Sequence, residues 1–203
     1  MSILTTRFNI LPDPAYTDLQ AGLSERLARI GAGIHAEQFG ALASPLMREV
    51  FHNGVAEAGA HEGTVWLVDG GGEFLVPAIN TGPSAEQMVG RFRQPLKSGL
   101  ICMVFASEQP FLENEVSKNP GQSKLLDSLL EVKTTALIAV PFYFLGTCRG
   151  VVSCVQLSKS GSQPASAPGF RPQHLDTMQR TASILSNLLE YQLLSYAVGW
   201  KNS

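Results

Sequence analysis

Charge is scarce in this chain. Of its 203 residues, 15 are lysine or arginine and 17 are aspartate or glutamate, a formal net charge of -2 with no dense basic run. A protein that tracks a phosphate backbone needs a basic face, so nucleic acid is not expected as a direct partner. Cysteine is also sparse. Cys102, Cys148 and Cys154 are an odd number and form no Cys-x-x-Cys pair of the kind used for zinc or dithiol chemistry. Cys102 and Cys154 sit among apolar neighbours, where a free cysteine acts as a small hydrophobe, and reduced thiols fit a cytoplasmic location. Long apolar runs are missing too. The longest, Ala136 to Leu145, is interrupted by Pro141 and falls well short of the roughly 20 apolar residues a membrane span requires. The opening Met1 to Phe8 lacks a basic segment followed by an apolar one, so no secretion signal is expected there. His35, His52, His61 and His174 are dispersed, without a spacing that sets two ligands on one helical face, and no metal site is expected.

What is present is periodic pattern. Leu19, Leu23, Leu27, Ile30 and Ile34 recur at spacings of four and three, predicting an amphipathic helix from Tyr16 to Ile34. Ser44 before Pro45 is a helix N-cap signal, and the helix it opens runs towards Ala58, with Gly59 as its stop. Gly63 to Asp69 is rich in β-branched and aromatic residues, Gly70 to Gly72 supplies a tight turn, and Glu73 to Ile79 returns as a second strand. Asn80 to Gly121 is irregular, as segments that line sites often are. Leu125, Leu126, Leu129 and Leu130 predict a short helix ahead of the strand Ala136 to Leu145, with Val151 to Leu157 returning after a turn. Ser160 to Gly169 reads as a low-complexity loop, and Pro172 to about Tyr196 as a final helix about 35 Å long.

Two stretches carry a resemblance. Ser98-Gly99-Leu100-Ile101 through Gln109 to Val116 and Asn119-Pro120 looks like a glycine-started helix, a short strand and an acidic or amide loop. Thr135 to Phe142 followed by Arg149-Gly150-Val151-Val152 looks like an apolar Val-Pro strand paired with a Gly-Val strand. In this order and spacing they resemble the GAF domain family over roughly Ser44 to Tyr191. The resemblance implies an α+β fold: a central antiparallel sheet of about six strands, terminal helices on one face and a ligand pocket on the other. Residues 1–14 would then be an N-terminal extension and 15–200 a single domain.

The chain departs from the specialised members of that family. None of its cysteines precedes a histidine, as in linear-tetrapyrrole photoreceptors, and it has no Asn-Lys dipeptide of the kind found in cyclic-nucleotide binders. Free methionine sulfoxide reduction, the activity of a few such proteins, needs an activated thiol beside the pocket, and only Cys102 lies in the pocket-forming stretch. The expected lining is therefore Phe92, Cys102, Phe105, Phe111, Glu113 and Asn114 from the irregular segment, completed from the strands by Trp66, Phe142 and Gln156. No catalytic residue is assigned, and the sequence names no cofactor either way. The expected function is a sensory domain that binds a small molecule and signals to a partner protein through its terminal helices. A ligand-free docking scaffold is the alternative and a methionine sulfoxide reductase the third reading.

A homodimer is expected from the last helix. Leu175, Met178, Ala182, Leu185 and Leu189 form one apolar stripe, and Ile184, Leu188, Tyr191 and Val198 a second beside it, more than one packing surface requires.

Overall fold

The structure, a computed structural model, describes Pro14 and residues 17–159 and 168–200. The rest of the expected 1–14 extension and most of the Ser160 to Gly169 loop lie outside the described residues.

Three helices come first: α1 (Thr17–Ala32), α2 (Ala36–Leu42) and α3 (Pro45–Glu57). The Ser44 hydroxyl accepts from the Met47 amide at 3.3 Å, as an N-cap does, and Gly59 ends the segment after α3 at φ +69. The sequence pattern did not reveal α2. It is only seven residues long, too short to display a period, and its anchor is the fully buried Phe39.

The hairpin β1 (Glu62–Val68) and β2 (Phe74–Asn80) turns on Asp69, whose carboxylate accepts from the amides of Glu73 and Phe74 at 2.9 and 3.0 Å. A crossing segment of short pieces follows: α4 (Ala85–Met88), β3 (Gln94–Pro95), α5 (Leu100–Ser107), β4 (Phe111–Glu113), a 3-10 turn at Val116–Lys118 and α6 (Leu125–Leu130). Two long strands, β5 (Val132–Phe144) and β6 (Thr147–Lys159), then pair through a two-residue turn in which Leu145 and Gly146 both have positive φ. The chain closes with α7 (Pro172–Val198), capped by Gly199 at φ +72.

The six strands form one antiparallel sheet in the order β3-β2-β1-β6-β5-β4. Its two faces bury separate clusters, sorted by the period of two along each strand. Val65, Leu67, Val76, Ile138, Val140, Phe142 and Val152 face α2, α3 and α7, with Phe39, Met47, Phe51 and Leu185 filling the space between. Trp66, Leu75, Leu137, Ala139 and Val151 face the crossing segment, with Met88, Leu100 and Val104. Glycines allow the closest approaches. A Cβ on Gly150 would lie 1.8 Å from the Trp66 carbonyl oxygen, and one on Gly54 of α3 would lie 2.2 Å from Thr181 Oγ1 of α7.

Candidate functional site

Between the sheet and the crossing segment lies a cavity of about 100 Å³. Its floor is laid by alternate residues: Glu62, Thr64 and Trp66 of β1, and Ser153, Val155 and Leu157 of β6. Leu137 and Thr134 of β5 both reach it because a register shift between Thr134 and Ala136 resets the alternation. Its roof is Met88, Gln94, Val116, the first residues of α5 (Gly99, Leu100, Ile101), and Leu126, Asp127 and Leu130 of α6. The fold therefore brings five short pieces together over three strands.

The polar groups are few and well held. Trp66 Nε1 donates to Ser153 Oγ at 2.9 Å, and Asn80 Nδ2 donates to Thr64 Oγ1 at 2.9 Å. Each hydroxyl thus acts as an acceptor, and neither donates to another described protein group. Thr64 and Ser153 are cross-strand partners, so their two hydroxyl-bearing side chains are neighbours on the floor. Gln94 is 3 % exposed; its Nε2 donates to the carbonyls of Ser98 and Pro95 at 2.9 and 3.4 Å, while no described group donates to its Oε1. Asp127 is well engaged: it accepts from Thr134 Oγ1 at 2.6 Å, the Thr134 amide at 3.0 Å and Gln122 Nε2 at 2.9 Å. Glu62 has no cation within ion-pair distance among the described residues. Burial raises its carboxyl above the usual glutamate range, partly offset by the Asn80 amide and the neighbouring His61.

Of the nine residues expected to line a pocket, Trp66 alone lines this cavity. Phe92 stands behind it in an edge-to-face contact with Trp66 at 6.1 Å, and Phe105 and Phe111 pack into the same side's core without reaching the space. Cys102 is buried in α5 with Sγ donating to the Pro95 carbonyl at 3.3 Å, so the cavity is lined by its neighbours Leu100 and Ile101. Phe142 and Gln156 lie on the opposite face of the sheet, where strand alternation places them. Phe142 meets Phe39 edge-on at 5.8 Å; Gln156 donates to the Gly59 carbonyl at 3.0 Å and accepts from the Gly169 amide at 3.1 Å. Glu113 braces its own loop, accepting from Asn119 Nδ2 at 2.8 Å and the Glu115 amide at 2.9 Å, and these bonds hold its carboxyl below the usual range. Asn114 reaches across the sheet edge to the segment entering α7. Its Oδ1 accepts from the Phe170 amide at 2.7 Å and its Nδ2 donates to the Phe170 carbonyl at 3.0 Å. Sequence reasoning missed Thr64, Ser153, Gln94 and Glu62. The first two were legible in principle, as polar interruptions at alternate positions of otherwise apolar strands.

The thiols are not poised for attack. Burial pushes Cys102 up to about 11 and Cys154 up to about 12, and it also raises Cys148. Cys154 lies in the helix-side core, away from the cavity.

An antiparallel sheet in the order 3-2-1-6-5-4, with long helices on one face and a cavity under the short crossing pieces on the other, decides the fold. The chain has the GAF fold. Solved structures superpose on most of it. The GAF domain of a phosphoenolpyruvate-protein phosphotransferase from Coxiella burnetii matches at TM-score 0.60 and 19% identity, over 92% of this chain and 99% of that one. Residues 122 to 287 of a methyl-accepting chemotaxis protein match at TM-score 0.56 and 18% identity, over 85% and 97%. The type II free methionine-R-sulfoxide reductase from Thermoplasma acidophilum matches at 0.50 and 14%, over 72% and 96%. No protein-family model and no curated protein matches the sequence. Among the described residues no helix is long and apolar enough to cross a membrane, and no group of three or more His, Cys, Asp or Glu is placed to hold a metal ion. Within the GAF fold the cavity occupies the face that the terminal helices leave free.

Proposed function

We propose that this chain is a cytoplasmic, non-enzymatic sensory domain that binds a small molecule in the cavity and passes the signal to a partner protein through its terminal helices. One observation carries the reading: an apolar space in which buried Thr64, Ser153 and Gln94 retain hydrogen-bonding capacity that no described protein group uses. Buried polar groups are normally satisfied, and a ligand or water is the natural partner for these. At about 100 Å³ the space suits a molecule of a few heavy atoms, well below the size of drug-like pockets. A ligand shifts a conformational balance only through differential affinity for two arrangements, and a roof made of short pieces is the part of this fold able to have two. The test is native mass spectrometry of protein purified from its own host. A non-covalent adduct lost on denaturation is the expected result. A bare chain that also ignores a metabolite screen sinks the reading.

A second reading, a homodimeric docking scaffold, is favoured by the outer face of α7. There Ile184, Tyr191, Leu194 and Val198 are 46%, 60%, 39% and 54% exposed, and Ile184, Tyr191 and Val198 repeat at the heptad spacing of a helix seam. Leu188 instead packs partly against the helix-side core, alongside Leu27 and Ile30 of α1, and the first stripe of α7 is buried on the sheet. Sedimentation equilibrium of the wild type and Tyr191→Glu tests the dimer. A dimeric wild type and a folded monomeric variant are expected, and a monomeric wild type refutes it. The reductase reading would require turnover that disappears in Cys102→Ser.

A further inference from the structure

We propose that the cavity selects a small organic cation, an ammonium or amidinium group on a compact apolar body, with Glu62 as the residue that determines its charge. The inference rests on the cavity being a ligand site and adds which chemistry that site accepts.

The lining contains two carboxylates, Glu62 and Asp127, and no lysine, arginine or histidine. Both sit at the same end. Glu62 of β1 pairs with Val155 of β6, and Thr134 of β5, which holds Asp127, pairs with the neighbouring Leu157. Their strands flank β6 on either side, about 10 Å apart at the usual strand spacing. Farther along β1 from Glu62 the lining includes Trp66, and the roof adds Met88, Leu100 and the amide of Gln94. Asp127 has its hydrogen bonds made within the protein, whereas Glu62 is half-buried with no cationic partner among the described residues. His61, adjacent to Glu62, is engaged elsewhere, its Nδ1 accepting from the Leu157 amide at 2.9 Å.

Two features oppose a cation: the undonated hydroxyl protons of Thr64 and Ser153, and the helix N-terminus that the first residues of α5 bring to the roof. That pole is worth about half an elementary charge, less than one ionised carboxylate. The unengaged Oε1 of Gln94 and the second lone pairs of the Thr64 and Ser153 hydroxyls are acceptors open to a head group carrying N–H.

The test compares three molecules of one shape and different charge: isobutyramidine (cation), isobutyramide (neutral) and isobutyrate (anion). Each has about six non-hydrogen atoms, a size for which millimolar or tighter binding is attainable. Trp66 and Trp200 are the two tryptophans of the chain, so in a Trp200→Phe background the fluorescence reports from the cavity itself. Titrations at constant ionic strength are expected to rank the amidine tightest, about ten-fold over the carboxylate, with the gap narrowing at high salt. In Glu62→Gln, with circular dichroism unchanged, the amidine is expected to lose its advantage while the amide binds as before. Isobutyrate or isobutyramide binding as tightly as the amidine, or an amidine preference that survives Glu62→Gln, overturns the charge assignment and leaves the cavity as a ligand site. If none of the three changes Trp66 fluorescence or perturbs the amides of Leu100 and Ser153 in an NMR titration, the ligand-site reading falls, and this inference with it.

Discussion

The two faces of the sheet are closed by different means. On one side α3 and α7 are helices of 13 and 27 residues, and with the short α2 their aromatic and aliphatic side chains interlock with the strands until Phe39, Phe51, Phe142 and Phe144 have no exposed surface. On the other side no covering helix exceeds eight residues, and the pieces meet over a space instead of filling it. A long amphipathic helix makes packing continuous. A succession of short pieces leaves gaps, and each piece depends on its neighbours for stability. The first face therefore holds the fold together, and the second is free to carry a site.

Mutations can break that comparison. The largest loss is expected on the helix side: Phe142→Ala removes a fully buried ring and should cost about 3–5 kcal/mol in urea unfolding. Leu130→Ala, over the cavity and only partly buried, should cost about 1 kcal/mol because it enlarges an existing space. Equal losses would mean that both faces are packed alike. Next is Gly54→Ala, whose new methyl would meet Thr181 Oγ1 at 2.2 Å and Cγ2 at 2.8 Å. A loss of about 1–3 kcal/mol is expected, and a double-mutant cycle with Thr181→Ala should recover much of it. An additive cycle would show that the α3–α7 crossing is not the point of strain. Smaller again, Asn114→Ala removes two hydrogen bonds to Phe170 and should cost about 1 kcal/mol.

The smallest effect concerns pH. Burial raises the Glu62 carboxyl, so its ionised form weakens the folded state, and the penalty appears as pH rises through the folded value. Glu62→Gln should raise Tm slightly at neutral pH, and the gain should vanish below the ordinary glutamate range. A gain that persists in acid would place its cause elsewhere.

What was legible in the sequence follows the same division. The N-cap at Ser44, the stop at Gly59, the turn after Asp69 and the length of α7 were readable because each depends on local chemistry or on a period sustained over several turns. The strand pair β5 and β6 was placed correctly but drawn short, since its ends, Val132 to Thr134 and Thr147 and Cys148, pair through the ladder despite lacking an apolar pattern. The cavity was the least legible part. Aromatic residues of the crossing segment suggested a lining, yet Phe105 and Phe111 serve as packing, and the polar floor comes from hydroxyls whose importance depends on which face they take. Phe142 and Gln156 fall on the helix side for that reason alone: alternation assigns a strand residue's face, and sequence shows the alternation without showing which set faces which cover.

The paired bonds from Asn114 to Phe170 also act as a stitch. Asn114 lies two residues before Val116, which roofs the cavity, and Phe170 lies two residues before the first turn of α7 on the far face. A Cβ on Gly169, at φ +72, would lie 3.0 Å from Asn114 Oδ1, so the thread is drawn tight. Whatever lifts the roof segment must either pull the beginning of α7 along with it or snap two hydrogen bonds, which makes one amide side chain the toll gate between the two faces.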